Sequence, residues 1–217
     1  MPVSNSEHIP AVLHFVHASA PTSILDVGIG TGSYGLLLRQ GLDIGYGRIQ
    51  PDEWKVRIDG AEIFDAYRNP VWNYAYNRVI MGDIRSGLAG LDRYDLVLCN
   101  DVLEHFPREE ARRLIRALLE KCRVLIATTP NREYAQGAWG GNQAETHHAL
   151  LDRRDFCGLV AEIVTGITSC YVCTLQQELV YPLLVAADRC PSISHPQSTN
   201  LFRRLRRRIR QFRLRDI

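Results

Sequence analysis

The feature that most constrains the fold is a regular alternation of short apolar runs with amphipathic segments along the chain. Apolar runs of strand length predict seven strands, at residues 24–27, 56–63, 78–83, 94–100, 124–130, 161–166 and 178–187. Apolar or helix-capping patterns predict helices at residues 6–19, 34–40, 108–120 and 153–160. Strands that alternate with helices form a mostly parallel sheet with helices on both faces. The sequence therefore predicts one doubly wound α/β domain with a seven-stranded, mostly parallel sheet.

The composition changes after this predicted domain, which covers residues 1–190. Residues 191–200 are rich in proline and serine and are predicted to be a linker. The whole chain has a net charge of +2. Because residues 201–217 contain eight arginines and one acidic residue, the rest of the chain is acidic. The apolar residues of this tail fall on one helical face, at Leu201, Leu205, Ile209 and Phe212. Such a basic amphipathic tail fits an anionic membrane surface, a partner, nucleic acid or the acidic domain itself.

Targeting signals and cysteines restrict the class of protein further. The first residues carry no basic and apolar leader pattern, and no apolar run reaches the roughly 18–20 residues of a membrane span. We therefore expect a cytoplasmic protein whose only membrane contact is peripheral, through residues 201–217. The six cysteines lack the spacing of a disulfide scaffold, and Cys170 and Cys173 have no second pair to complete a zinc site. Buried thiols and no metal site are the prediction.

The glycine-rich loop after the first predicted strand matches two motifs in different registers. Residues 30–35 read GTGSYG, the GxGxxG pattern of dinucleotide-binding loops, whereas residues 26–32 read DVGIGTG. A dinucleotide loop places a pyrophosphate against helix amides, where the carboxylate of Asp26 would repel it. A ligand that carries a cationic group and no phosphate suits this carboxylate better. The register 26–32 is therefore favoured, and an NAD-dependent oxidoreductase is the weaker alternative.

In that register the loop resembles the acid-x-G-x-G-x-G loop of class I S-adenosylmethionine-dependent methyltransferases, and the resemblance extends over residues 22–187. It implies a Rossmann-like methyltransferase fold, an enzyme that transfers a methyl group, and S-adenosyl-L-methionine as the cofactor. Within the loop it assigns cofactor binding to Asp26, Gly28, Gly30 and Gly32. Ligands of such sheets bind outside the carboxyl ends of the strands, so the polar residues that follow each strand are expected to converge there.

The resemblance assigns ribose binding to Glu62, with Ile63 beside it, because a carboxylate can accept hydrogen bonds from both ribose hydroxyls. Glu62 follows Asp26 by 36 residues, whereas about 20 separate the loop and the acid of dinucleotide folds. Asp43 lies at the shorter spacing, but no predicted strand precedes it, and we favour Glu62. The intervening residues 41–55 are predicted to form an insertion that roofs the site.

Two further strand ends complete the implied cofactor site. Asp83 and Ile84 follow the third strand and resemble the motif whose acid accepts the adenine amino group. The stretch NDVLEHF at residues 100–106 follows four consecutive apolar residues and resembles the fourth-strand motif that lines the methionine end. Asn100 and Asp101 are therefore predicted to contact the cofactor.

Catalytic candidates lie close to the place where the methyl group would be transferred. If the acceptor is a hydroxyl, a general base must reach its proton, and His105, Glu145 and His147 are the candidates. His105 follows the fourth strand, and the other two fall in a glycine-rich polar stretch where a lid would lie. Glu145, His147 and His148 are not expected to bind a metal ion together, since neighbouring loop residues rarely direct their side chains at one ion.

The acceptor is constrained only loosely by the sequence. Residues 54–64, 129–131, 136–147 and 155–156 resemble a bacterial branch of the family that is often encoded beside surface-polysaccharide enzymes, which implies a small-molecule, sugar or glycolipid acceptor. Base-amine methyltransferases resemble one another in a D/N-P-P-Y/F motif after the fourth strand, and this chain has Asn100-Asp101-Val102-Leu103 there. A nucleic-acid substrate is therefore not expected. O-methylation is preferred over N-methylation, and a non-catalytic adenosyl-ligand-binding or scaffold protein is the alternative from another class.

Overall fold

A computed structural model of the chain describes residues 5–191. The predicted tail at 201–217, and all but the first residue of the linker predicted at 191–200, lie outside the described residues. No helix within residues 5–191 is long and apolar enough to cross a membrane.

The described residues form one seven-stranded sheet with the strand order β3-β2-β1-β4-β5-β7-β6. The strands are β1 Ser23–Val27, β2 Arg57–Glu62, β3 Arg78–Met81, β4 Tyr94–Asn100, β5 Cys122–Pro130, β6 Leu159–Thr165 and β7 Thr168–Cys173. The pairs β1–β2, β1–β4, β2–β3 and β4–β5 are parallel, and β7 runs antiparallel to both of its neighbours. The predicted seven-stranded, mostly parallel α/β sheet is confirmed.

Helices cover both faces of this sheet. They are α1 Ile9–Ser19, α2 Ser33–Leu42, α3 Pro70–Ala75, α4 Ile84–Gly87, α5 Arg108–Lys121 and α6 Gln177–Asp188. Alternate strand residues point to opposite faces, so the core divides into two clusters. One cluster packs the sheet against α1, α2, α3 and α6, and the other packs it against α5. The buried residues of α5 recur at helical spacing and include Ala111, Leu114, Ile115, Leu118 and Leu119.

The strand predicted at 178–187 is wrong, because these residues belong to α6. Periodicity cannot separate a short apolar run in a strand from one in a buried helix. In the structure, Leu183 and Ala187 bury one face of α6, which packs against α1. The last strand in chain order is instead β7, which contains Cys170 and Cys173. Both thiols are buried, as the sequence predicts.

The helix predicted at 153–160 is also wrong. Residues 153–155 form a turn, and β6 already begins at Leu159. The carboxylate of Asp155 accepts a hydrogen bond from the Asp152 backbone N–H, as expected of a helix start. It also pairs with Arg112 of α5, which holds the segment in a turn against that helix.

The predicted roof at residues 41–55 lies at the opposite end of the sheet from the carboxyl ends of the strands, so this prediction is wrong as well. Helix α2 starts at the end of β1 and runs back toward the amino ends of the strands. There the buried guanidinium of Arg39 donates hydrogen bonds to Asp43, to the Val56 carbonyl and to the Ala75 carbonyl. The buried ion pair of Arg39 and Asp43 therefore holds residues 41–55 at the amino ends of the strands.

Candidate functional site

A cavity of about 410 Å³ lies at the carboxyl ends of β1, β2 and β4 and beside the turn after β3. Nine of the residues predicted to bind the cofactor border it, namely Asp26, Gly28, Gly30, Glu62, Ile63, Asp83, Ile84, Asn100 and Asp101. Of the catalytic candidates, His105 and Glu145 border the cavity and His147 does not. The structure therefore brings these strand-end residues together around one space.

The glycine loop approaches its neighbours too closely for side chains. A Cβ atom on Gly28 would lie 2.4 Å from Cγ2 of Val102, and the φ angle of Gly28 is +73°. Gly32, with a φ of +86°, precedes α2, and a Cβ atom there would crowd Trp72 at 3.2 Å. Gly32 does not border the cavity, so its place is a packing position behind the loop. The Trp72 indole in turn donates a hydrogen bond to the Gly30 carbonyl, at 2.9 Å.

Asp26 is buried at the start of the loop, where its carboxylate accepts a hydrogen bond of 2.7 Å from the Tyr76 hydroxyl. The same hydroxyl accepts a hydrogen bond from the Gly35 backbone N–H. Burial raises the pKa of Asp26 to about 7, against the lowering effect of the Tyr76 hydrogen bond. Sequence reasoning missed this contact, because Tyr76 directly follows α3 and no strand end marks it.

Glu62 ends β2, and its two carboxylate oxygens face different neighbours. One accepts a hydrogen bond from the Gly30 N–H at 2.9 Å, and the other accepts from the N–H groups of Ile63 and Phe64. Burial raises the pKa of Glu62 despite these bonds. A carboxylate has about four lone-pair sites and three are occupied here, so the oxygen that accepts from Gly30 keeps one site for a ribose hydroxyl. Asp43, the alternative acid, is engaged at the far end of the sheet.

Asp83 follows β3 and accepts a hydrogen bond from the Arg85 backbone N–H, which starts α4. Hydrogen bonds from the Arg85 side chain lower the pKa of Asp83, so it is ionised near neutral pH. Ile84 adds an apolar wall beside it. A carboxylate next to an apolar surface suits a flat base with an exocyclic amino group.

Asn100 supplies the strongest test of whether the predicted cofactor fits. The residue is only 4% exposed, yet neither its amide nitrogen nor its amide oxygen has a hydrogen-bond partner within residues 5–191. Buried polar atoms without partners are rare in folded proteins, and both atoms belong to a residue that borders the cavity. The Tyr34 hydroxyl is unpartnered in the same way. A polar ligand such as an amino-acid moiety would satisfy these groups.

Asp101 connects the site to the beginning of the chain. Its backbone adopts a φ of +52°, and its carboxylate accepts hydrogen bonds from the Thr128 hydroxyl at 2.8 Å and the Asn5 N–H at 3.3 Å. The buried ring of His8 lies 3.8 Å from the same carboxylate. These contacts bring Ser6 to the cavity wall, which the sequence did not predict.

The catalytic candidates form a second polar group at the edge of the cavity. The rings of His105 and His147 are 5.0 Å apart between centroids, and burial lowers the pKa of both. Glu145 accepts a hydrogen bond of 3.0 Å from the Tyr67 hydroxyl, and Gln136 donates to the Glu145 carbonyl at 2.8 Å. The glycine-rich stretch predicted as a lid is thus tied to the segment after β2.

Comparisons with known proteins agree with this fold. A family described as "Methyltransferase domain" matches residues 6–163, and no curated protein matches the chain. The N-terminal domain of EvdMO1, crystallised in the presence of SAH and D-fucose, is 18% identical, with a TM-score of 0.54 over 79% of this chain and 85% of that one. The magnesium protoporphyrin IX methyltransferase ChlM from Synechocystis PCC 6803, with bound SAH, is 20% identical, with a TM-score of 0.53 over 76% of this chain and 81% of that one.

At these identities the likeness to solved structures shows the fold, and the family match carries the assignment. The matched residues include the glycine loop, the strand-end acids Glu62 and Asp83, and the segment after β4. The buried amide of Asn100 and the bordering carboxylates fit an adenosyl amino-acid ligand better than a dinucleotide. The chain belongs to the methyltransferase-domain family and is an S-adenosylmethionine-dependent methyltransferase.

Proposed function

We propose that this methyltransferase acts on a hydroxyl oxygen of a small-molecule acceptor, with a sugar or glycolipid as the preferred class. The observation that carries the proposal is the polar group of His105 and Glu145 at the cavity edge, beyond the cofactor-binding residues. D-fucose in the EvdMO1 structure supports a sugar, as does the resemblance to a branch associated with surface polysaccharides.

The bound cofactor supplies a methyl group activated on a sulfonium sulfur. The residues of the chain bind and orient it: Glu62 accepts from the ribose, Asp83 from the adenine amino group, and Asn100 contacts the amino-acid end. The glycine loop allows the close approach that a Cβ atom at Gly28 would block. Positioning and exclusion of water are therefore the main contributions of this site.

Removal of the acceptor proton is assigned to the polar group of His105, His147 and Glu145. Because burial lowers the pKa of both histidines, their rings are neutral near pH 7 and retain a lone pair. His105 and Glu145 border the cavity, whereas His147 lies against the His105 ring. The acceptor hydroxyl is thus expected to face His105 and Glu145.

The experiment measures binding and turnover separately on the full-length chain. Calorimetry with S-adenosylhomocysteine is expected to show binding, and methyl-labelled cofactor is then offered with a panel of free sugars, lipid-linked sugars and phenols. His105→Ala and His147→Ala are each expected to lower kcat about a hundredfold. His17→Ala, on the exposed side of α1, is the matched control with normal turnover.

Failure of S-adenosylhomocysteine to bind would contradict the cofactor. Near-normal turnover in both histidine variants would contradict their part in proton removal, and methylation of amines alone would contradict O-methylation. Binding without transfer to any acceptor would favour a non-catalytic adenosyl-ligand-binding or scaffold protein.

For the location of the protein, we propose a cytoplasmic enzyme whose basic tail at 201–217 contacts anionic membranes. The support is the sequence pattern of eight arginines around one apolar helical face. Co-sedimentation with anionic vesicles is expected for the full-length protein and not for a truncation to residues 1–198. Equal sedimentation of both would refute membrane contact through the tail.

A further inference from the structure

Three side chains at the cavity edge present metal-ligand atoms to one another. The ligand atoms of Glu104, His105 and His147 all lie within 4.8 Å of each other. Glu104 and His105 come from the turn after β4, and His147 comes from the segment between β5 and β6. Two chain segments that are 42 residues apart in the sequence therefore converge on one point.

Glu104 is the least explained of the three. It is 2% exposed, and its Oε2 atom has no hydrogen-bond partner within the described part of the chain. An unpartnered carboxyl oxygen in the interior is costly, so a buried acid normally pairs with a cation or a hydrogen-bond donor. Within residues 5–191, the imidazoles of His105 and His147 are the metal-ligating side chains grouped with Glu104.

Both histidines are held in the orientation that a metal ligand needs. Nδ1 of His147 lies 2.8 Å from the Tyr134 carbonyl, and Nδ1 of His105 lies 3.4 Å from the Thr146 carbonyl. A carbonyl oxygen can only accept, so each Nδ1 carries the hydrogen and each Nε2 keeps its lone pair. A backbone carbonyl behind a ligating imidazole is the usual arrangement around protein-bound metals.

We propose that Glu104, His105 and His147 bind one divalent first-row cation of the zinc type at the edge of the cavity. Two imidazoles and one carboxylate form the ligand set of catalytic zinc sites, which leave a fourth position for a water or a substrate oxygen. Zinc–ligand distances of about 2.0–2.2 Å place the ligand atoms about 3.4 Å apart, so small side-chain rotations would close the group. Magnesium prefers an all-oxygen octahedron and fits these ligands poorly.

The inference rests on the proposed function and refines it, because His105 borders the cavity where the acceptor hydroxyl is expected. A cation at this point orients the hydroxyl oxygen and makes its proton more acidic. His105 and His147 then act as ligands rather than as bases, so removal of the acceptor proton falls to Glu145 at the cavity wall.

The experiment titrates Co²⁺ into the full-length protein after dialysis against a chelator. We expect a single site with the visible absorption of four-coordinate cobalt, displaced by Zn²⁺ and unaffected by excess Mg²⁺. His105→Ala, His147→Ala and Glu104→Gln are each expected to weaken Co²⁺ binding about tenfold or more. His17→Ala, which removes an exposed imidazole of α1, is the matched control with unchanged binding.

Absence of the cobalt spectrum in the wild type would overturn the proposal, and so would equal binding by the wild type and by both histidine variants. Thermal unfolding of each variant shows whether it is folded, and Glu104→Gln keeps the shape of the side chain if the alanine variants fail to fold. S-adenosylhomocysteine binding, measured in parallel, separates the two proposals. If the protein binds S-adenosylhomocysteine but not Co²⁺, only the metal site is refuted. If it binds Co²⁺ but not S-adenosylhomocysteine, only the proposed function is refuted.

Discussion

Replacement of Asp26 by asparagine tests the link between burial of the cofactor loop and the pH dependence of stability. The pKa of Asp26 is about 7 in the folded chain, because the carboxyl is fully buried, against about 3.9 for an exposed aspartate. Between these two values the folded chain holds a proton that the unfolded chain has released. Stability is therefore greatest below the unfolded pKa and falls as the pH rises toward 7.

The magnitude follows from the pKa difference at about 1.4 kcal/mol per pH unit. From pH 5 to pH 8 the wild type should lose roughly 2.5 kcal/mol through this one group. Asp26→Asn keeps an acceptor for the Tyr76 hydroxyl and carries no titrating proton, so this component disappears. The free energy of unfolding of the variant, relative to the wild type, should rise by that amount over the same range.

Urea unfolding followed by tryptophan fluorescence at pH 5 and pH 8 measures the difference. Asp95→Asn is the matched control, because hydrogen bonds from Thr22 lower the pKa of Asp95 despite its partial burial. The stability contributed by ionised Asp95 is lost only at lower pH. The free energy of unfolding of Asp95→Asn, relative to the wild type, should therefore stay constant between pH 5 and pH 8. A flat difference for Asp26→Asn, or one of opposite sign, would refute the reasoning.

Three further substitutions probe the site. Gly28→Ala places a Cβ atom against Val102 at a positive φ and should weaken S-adenosylhomocysteine binding at least about tenfold by calorimetry; unchanged affinity would contradict the close approach. Asn100→Ala should weaken that binding about tenfold while leaving the urea midpoint nearly unchanged, since its side-chain amide has no hydrogen-bond partner among residues 5–191, and a loss of stability without a loss of affinity would argue against a ligand contact. Tyr67→Phe removes the hydrogen bond to Glu145 and should cost about 1 kcal/mol, with faster hydrogen exchange near Glu145; unchanged exchange would show that this bond does not hold the segment.

The strands that carry the site could be predicted from the sequence because each is covered on both faces. Such strands read as nearly continuous apolar runs, as in β4, and the first polar residue after each run lies at the carboxyl end. Asn100 is predictable on this basis, whereas Asp26 and Glu62 are predictable from the resemblance of the loop and of the second-strand acid to the methyltransferase motifs. The glycine spacing of the loop then indicated the kind of ligand.

The second half of the sheet was not predictable in the same way. The mostly apolar run at 178–187 is compatible with a strand and with a buried helix. Its packing against α1 shows that it is the helix α6. The pattern of Asp152 and Asp155 is typical of a helix start, but Asp155 forms an ion pair with Arg112 of α5 and the segment is a turn. In both places the tertiary contacts decided the structure where the local pattern did not.

The sequence by itself determined the parallel strands β1 to β5, the cofactor loop and the positions of the strand-end acids, since these depend on local periodicity, on motif spacing and on one topological rule. Only the tertiary structure decided which side chains meet. Tyr76 contacts Asp26 across 50 residues of chain, and Asn5 contacts Asp101 across 96. The placement of Glu104 beside His147 is of the same kind. Such contacts depend on how separate elements pack, and no local pattern in the sequence records that packing.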